Sequence, residues 1–170
     1  MQRSVWTVSS ATAIAFGFTW FRFPEPNERI MVMTMIIGGA YQSVSDFRTR
    51  HVPRVVTYTM GSVAILGLLL ADRMWSLIPI VAAAVGVVFF LLHQWREESL
   101  GFGDVLLAPV LALFVGWFDV FGVPLWLLGA CLGAALASVF LRQRHVAFAP
   151  WLVASAVVTI LYVGSPTYSG

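Results

Sequence analysis

The sequence predicts an all-α, polytopic transmembrane helix bundle of about seven spans, a six-span core with one extra helix ahead of it. Three observations carry this expectation. Of the 170 residues, 59% are hydrophobic and 11% charged, too few polar groups to cover a soluble domain of this size. The apolar residues fall into segments approaching the roughly 20 residues that a bilayer demands, separated by short loops. All ten basic residues are arginines, and they gather in alternate loops, as the positive-inside rule requires of a multi-pass chain.

The expected spans are 5–21, 30–44, 55–71, 77–92, 105–118, 123–141 and 146–163, which leave no room for a separate soluble domain. The chain reads as one integral-membrane domain over 1–170, with 1–24 as the additional N-terminal span and 30–164 as the core. The first segment follows Arg3 like a signal peptide, but it runs into the bulky "FTWFRFPEP" and not into small residues suited to cleavage, so it is read as retained. Several segments are short; flanking residues such as Ser45 and Asp46 extend the helices, or the lipid thins locally. Cys131 is the only cysteine, which excludes an internal disulfide and a four-cysteine zinc site. It lies in "GACLGAALAS", where Gly129, Gly133 and Ala137 recur every four residues and allow a neighbouring helix to approach closely. Cys131 is therefore expected to be a packing residue. Trp6, Trp20, Trp75, Trp95, Trp117, Trp126 and Trp151 mostly fall near span ends, as an aromatic belt does.

The arginines orient the chain. One side receives Arg3, Arg48, Arg50, Arg54, Arg96, Arg142 and Arg144, the other Arg22, Arg29 and Arg73; seven against three places the first set in the cytoplasm. The N-terminus is then inside and the C-terminus outside, in a cell (plasma) membrane. The net charge of +2 is spread over short loops, which excludes nucleic acid as a partner and leaves the lipid bilayer as the surface these arginines meet.

Eight acidic residues are present: Glu25, Glu28, Asp46, Asp72, Glu97, Glu98, Asp104 and Asp119. Most lie in loops, and Asp72 and Asp119 need no more than a turn or interfacial role. Asp46 and Asp104 differ, since one ends the segment "MIIGGAYQSVS" and the other opens the segment after "ESLGFG". Both fall at the predicted cytoplasmic edge, where two helix ends at one depth bring their side chains together across 58 positions of sequence (46 to 104). Two carboxyls in contact share a proton, so that one activates water while the other polarises a carbonyl. Gly101 and Gly103 leave space for an extended chain beside Asp104. A plainer reading stands beside this one: glycine breaks the loop and aspartate caps the helix that follows. His51, His93 and His145 lie near the same edge but lack the i, i+4 pairing of a helical metal site, so they are read as interfacial or capping residues, and neither a metal nor a cofactor is expected.

"GFGD" at 101–104, followed by "VLLAPVLALFVGW", resembles the second catalytic block of the type IV prepilin peptidases, membrane aspartic proteases of the Gly-x-Gly-Asp type. "DFRTRHVP" at 46–53 is similar to their first block, and "HVAFAPWLVASAVV" at 145–158 to their late helix with its Phe-x-Pro. Leu106 stands where that family commonly has lysine, and Arg54 where asparagine often follows the aliphatic-proline pair. The large cytoplasmic domain of the bifunctional members is absent from this sequence, so the likeness is to the compact, peptidase-only branch and implies no methyltransferase.

The resemblance implies an aspartic endopeptidase with Asp46 and Asp104 as the catalytic pair, no cofactor, and prepilin-like precursors of the type IV pilus and related secretion systems as substrates, cut at the cytoplasmic face. Gly101, Gly103, Glu97 and Glu98 are the expected substrate contacts. Glu97 and Glu98 have two readings, as solvated loop carboxylates or as the charges that draw in a basic leader. Two non-catalytic rivals remain: an ion- or proton-translocating bundle, since intramembrane carboxylates often serve that purpose, and a degenerate homologue that scaffolds a secretion assembly. Neither the precursor nor the oligomeric state is legible in the sequence.

Overall fold

The computed structural model describes Gly17 and residues 22–23, 25–49, 52–74, 76–95, 101–141 and 147–163. Among these the regular structure is entirely helical: α1 Pro26–Thr49, α2 Arg54–Leu70, α3 Leu77–Trp95, α4 Phe102–Phe118, α5 Gly122–Leu141 and α6 Ala149–Val163. These answer to the six expected core segments. The helix expected over 5–21 falls outside the described residues, apart from Gly17.

Proline sets where the helices begin. Pro26 is the first residue of α1, Pro53 is the N-cap of α2, and Pro79, Pro124 and Pro150 lie in the first turns of α3, α5 and α6. The missing N–H costs nothing there, because first-turn N–H groups have no partner within the helix. Ser76 caps α3, its Oγ accepting the N–H of Ile78 at 3.3 Å. The ends are closed as specifically. After α2, Asp72 takes the left-handed conformation (φ 54°), which lets Arg73 N–H reach Leu68 O at 2.8 Å and Asp72 N–H reach Leu69 O at 3.2 Å. After α4, Asp119 Oδ1 accepts the N–H of Phe121 at 3.0 Å. Both aspartates therefore have the turn roles expected of them.

α4 is the axis of the bundle and touches all five of the other helices. α2, α1, α6 and α5 form an arc around it, each packed on the next, while α3 lies against α4 alone on the remaining side. Every residue of α4 from Leu111 to Phe118 is buried. The outer faces are the reverse. α3 and the stretch Gly122–Phe140 of α5 have mean hydropathies of 2.2 and 2.0, yet only 22% of each window is buried. Helices so apolar and so uncovered would aggregate in water. Both are long and apolar enough to cross a membrane, the mark of a membrane protein.

Apolar burial gives little drive between helices whose alternative partner is also hydrocarbon, so close packing and internal hydrogen bonds must hold the arc together. The α5–α6 contact shows both. A Cβ placed on Gly133 would lie 2.5 Å from the Trp151 ring, so the missing side chain is what admits that ring. Trp126 Nε1 donates to Leu152 O at 2.8 Å and Ser155 Oγ donates back to Trp126 O at 2.8 Å. Gly133→Leu is expected to separate the two helices at a cost of about 1–3 kcal/mol, the range for overpacking a filled interface, read as a lower midpoint of thermal unfolding in detergent. The small-residue stripe expected here thus packs as predicted at Gly133.

Two other expectations are corrected. Cys131 is exposed and faces away from that contact, because it is offset from the Gly129 and Gly133 face of α5. Trp117 and Trp126 belong to the core and not to an aromatic belt: Trp126 spends its polar edge on Leu152 O, and Trp117 lies under Arg73, whose guanidinium is 4.9 Å from the ring centroid and donates to Trp117 O at 2.9 Å.

Arg73 belongs to a cluster at the end of the bundle away from Asp46 and Asp104. There Phe23 and Phe118 pack with ring centroids 5.1 Å apart, and Arg29 Nε donates to Phe23 O at 2.7 Å. Glu28, ahead of the apolar stretch that starts at Ile30, is buried beside them, and its Oε2 has no hydrogen-bond partner. Burial pushes the Glu28 carboxyl up, Glu25 adds to this, and Arg73 opposes it. A carboxyl raised in the fold stabilises it at acid pH, and that contribution is lost as pH climbs from the ordinary glutamate range through the raised value. Glu28→Gln, which mimics the protonated form, is expected to raise the unfolding midpoint near neutrality and to flatten its decline with pH. Melts across about pH 5 to 8 would show it.

Candidate active site

The inward face of α1 carries Met31, Met35, Gly39, Gln42 and Asp46, spaced by three or four residues and all buried. Asp46 thus continues a packing stripe into the last turn and is 8% exposed. One turn earlier, Gln42 Nε2 donates to Thr57 Oγ1 at 2.8 Å, a buried bond that ties α1 to α2 directly behind the aspartate. In an apolar surrounding such a bond fixes register as well as adding stability.

Asp104 is the third residue of α4. The N-cap is Gly101, with extended backbone (φ −65°, ψ 141°) and no side chain to cap with. The backbone N–H of Gly101 instead donates to the Asp104 carboxylate, while Asp104 Oδ1 has no hydrogen-bond partner although the residue is only 7% exposed. A helix-start role therefore accounts for one carboxylate oxygen and leaves the other unexplained. The charge that acts on it is Asp46, whose carboxylate lies near enough to repel that of Asp104. Two aspartates 58 positions apart in sequence (46 to 104) are brought together at one end of the bundle.

The two glycines of the motif have different surroundings. At Gly101 the space a Cβ would take is open except for Asp104 Oδ2 at 3.5 Å. At Gly103 it is filled: a Cβ there would lie 2.6 Å from Val52 Cβ and 3.1 Å from its Cγ2. Gly103 lets the segment between α1 and α2 press against the first turn of α4, so the link that follows Asp46 rests on the turn that holds Asp104. Leu106 is half-buried one turn in. Glu97, Glu98, His51 and His145 lie outside the described residues.

Several contributors escape a reading by sequence. Gln42 was visible as a polar residue one turn before Asp46 in an apolar stretch, which is the signal that could have found it. Val52 carries no signal, because its role is the volume it supplies opposite a glycine.

The sequence profile of the type IV leader peptidase family matches residues 30–164 of the 170. The chain belongs to the type IV leader peptidase family. No curated protein and no solved structure matches it significantly. The match runs from the second turn of α1 to just past the end of α6 and includes both aspartates. As a member of a leader peptidase family the chain has peptide-bond hydrolysis as its class of chemistry.

Proposed function

We propose that this leader peptidase is an aspartic endopeptidase that removes the leader of type IV pilin-like precursors at the cytoplasmic face of the plasma membrane, with Asp46 and Asp104 as its catalytic pair. One observation carries the reading: in a chain of this family, two buried carboxyls from helices far apart in sequence repel one another at one end of the bundle. Carboxyls so placed hold a proton between them. The ionised member takes a proton from water as the oxygen attacks the scissile carbonyl carbon, and the protonated member gives its proton to the carbonyl oxygen. The tetrahedral diol then collapses, the C–N bond breaks, and a carboxyl returns a proton to the leaving amine. No covalent enzyme intermediate and no cofactor take part.

The topology proposed from the arginines, with seven spans and the N-terminus inside, puts the pair at the cytoplasmic edge, where a basic leader lies ahead of an apolar helix. Gly101 offers the open approach to Asp104, Gly103 positions it, and Glu97 and Glu98 are assigned to attraction of the leader. Methylation of the new N-terminus is not part of the proposed activity. An ion-translocating bundle would need polar groups continuing through the bundle from the pair; inward of it lie Gln42 and Thr57, bonded to each other one turn away, while α4 is apolar from Val105 to Phe118. Co-expression of a candidate precursor with and without the protein, followed by mass spectrometry of the precursor's mature N-terminus, tests the proposal. An unprocessed leader in both samples, across a panel of pilin-like precursors, would leave the scaffold reading in its place.

A further inference from the structure

Arg54 is the first residue of α2, a poor place for a cation, because the free N–H groups and the positive pole of the helix face it. Its guanidinium has another partner: it lies over the ring of Phe102, 5.2 Å from the centroid, within the range of a cation–π contact. The same ring meets His93, in the last turn of α3, edge to face, with centroids 5.7 Å apart and planes at 60°. Phe102 is the second residue of the GFGD motif and, at 40%, the one exposed residue of α4. Burial in the core therefore does not hold this ring. The starts of α2 and α4 and the end of α3 converge on it, and the next two residues are Gly103, pressed on Val52, and Asp104.

We propose that Arg54 is a positioning residue: through the Phe102 ring it fixes the first turn of α4, and with it the Asp104 carboxylate relative to Asp46. A planar guanidinium stacks on an aromatic face while its long stem spans the gap between two helix starts. The second contact on Gly103 makes the arrangement a two-point hold, with Val52 and Arg54 on consecutive residues of one turn. The catalytic consequence rests on the peptidase reading above; the geometric claim does not.

The test separates these. In a Cys131→Ser background, Asp46→Cys and Asp104→Cys together give a thiol pair whose rate of oxidative cross-linking in membranes reports the approach of the two positions. Adding Arg54→Ala is expected to slow cross-linking about fivefold, the effect of losing one cation–π contact, and Arg54→Lys to restore part of it. Phe102→Leu should slow it likewise and make Arg54→Ala of no further effect, since the two act as one unit. Cross-linking at an unchanged rate in Arg54→Ala overturns the proposal, as does an undiminished Arg54 effect in Phe102→Leu, or no cross-link in the parent pair. In the chain with its aspartates intact, Arg54→Ala should lower kcat by a similar factor with KM for the precursor within about twofold. A raised KM with kcat unchanged would make Arg54 a substrate contact instead and overturn the positioning role. If the unaltered protein processes no precursor, the peptidase reading fails, while the cross-linking arm still decides the geometry.

Discussion

Asp46→Asn and Asp104→Asn are each expected to reduce leader removal by at least about a thousandfold, the upper range of what positioned proton transfer contributes, while the protein stays folded in the membrane. Asparagine keeps the shape of aspartate, so the inward stripe of α1 and the first turn of α4 are preserved, but it neither accepts a proton from water nor delivers one to a carbonyl. Replacing either member also removes the repulsion between the two carboxyls, which relieves the fold. Each variant should therefore unfold at or above the temperature of the parent while losing activity. That opposition of signs separates a catalytic role from a structural one. The measurement pairs a precursor-cleavage time course with a melt of the purified protein. Cleavage within about tenfold of the parent by either variant would sink the assignment of that residue.

Gly103→Ala should have the next largest effect, because the added methyl would meet Val52 Cβ at 2.6 Å and something must move. Val52 precedes Pro53 and its backbone is confined, so the first turn of α4 is the part that yields. Overpacking of this kind costs about 1–3 kcal/mol. A carboxyl misplaced by as little as 1 Å slows catalysis by about a hundredfold, so the loss of activity should exceed what the loss of stability explains. Since Val52 Cβ is the nearest atom, Val52→Gly should rescue Gly103→Ala and Val52→Ala should rescue it less. Cleavage rates of the single and paired variants decide the matter; equal activity in Gly103→Ala and the parent would show that the contact positions nothing.

That Asp46 and Asp104 share one end of the bundle was legible in the sequence, and the arrangement of the helices around them was not. Counting helical segments from Asp46 to Asp104 is enough to put both at one end, because that depends on order along the chain alone. Nothing comparable reveals that α4 is central. In a soluble bundle the polar face of each helix marks the outside, but here the outer faces are as apolar as the interior, and the exposed α3 and the enclosed α4 read alike. Trp117 and Trp126 mislead for the same reason: a tryptophan at a span end suits the interface unless a carbonyl such as Leu152 O claims its N–H, and that carbonyl lies 26 residues away. The stripe at Gly129 and Gly133 does mark a contact face, since only a neighbouring helix uses the space a missing side chain leaves. It could not mark which way Cys131 points. In the GFGD segment the motif discloses Asp104, yet the division of labour between Gly101 and Gly103 depends on Val52, and the ring of Phe102 is given meaning by Arg54 and His93, all distant in sequence.

The enclosure of α4 has a consequence for descent. A helix walled by five others cannot change one residue without consulting its neighbours, so substitutions along it must arrive in compensating pairs, as at Gly103 and Val52 or Gly86 and Pro109. The exposed apolar sides of α3 and α5 are under no such obligation, because no neighbouring helix fixes the shape of the side chains there. Two lineages parting from a common ancestor would therefore diverge fastest over the periphery of the bundle and slowest along its axis. A chain can then drift far in overall identity from its relatives while the helix that carries Asp104 keeps its pattern.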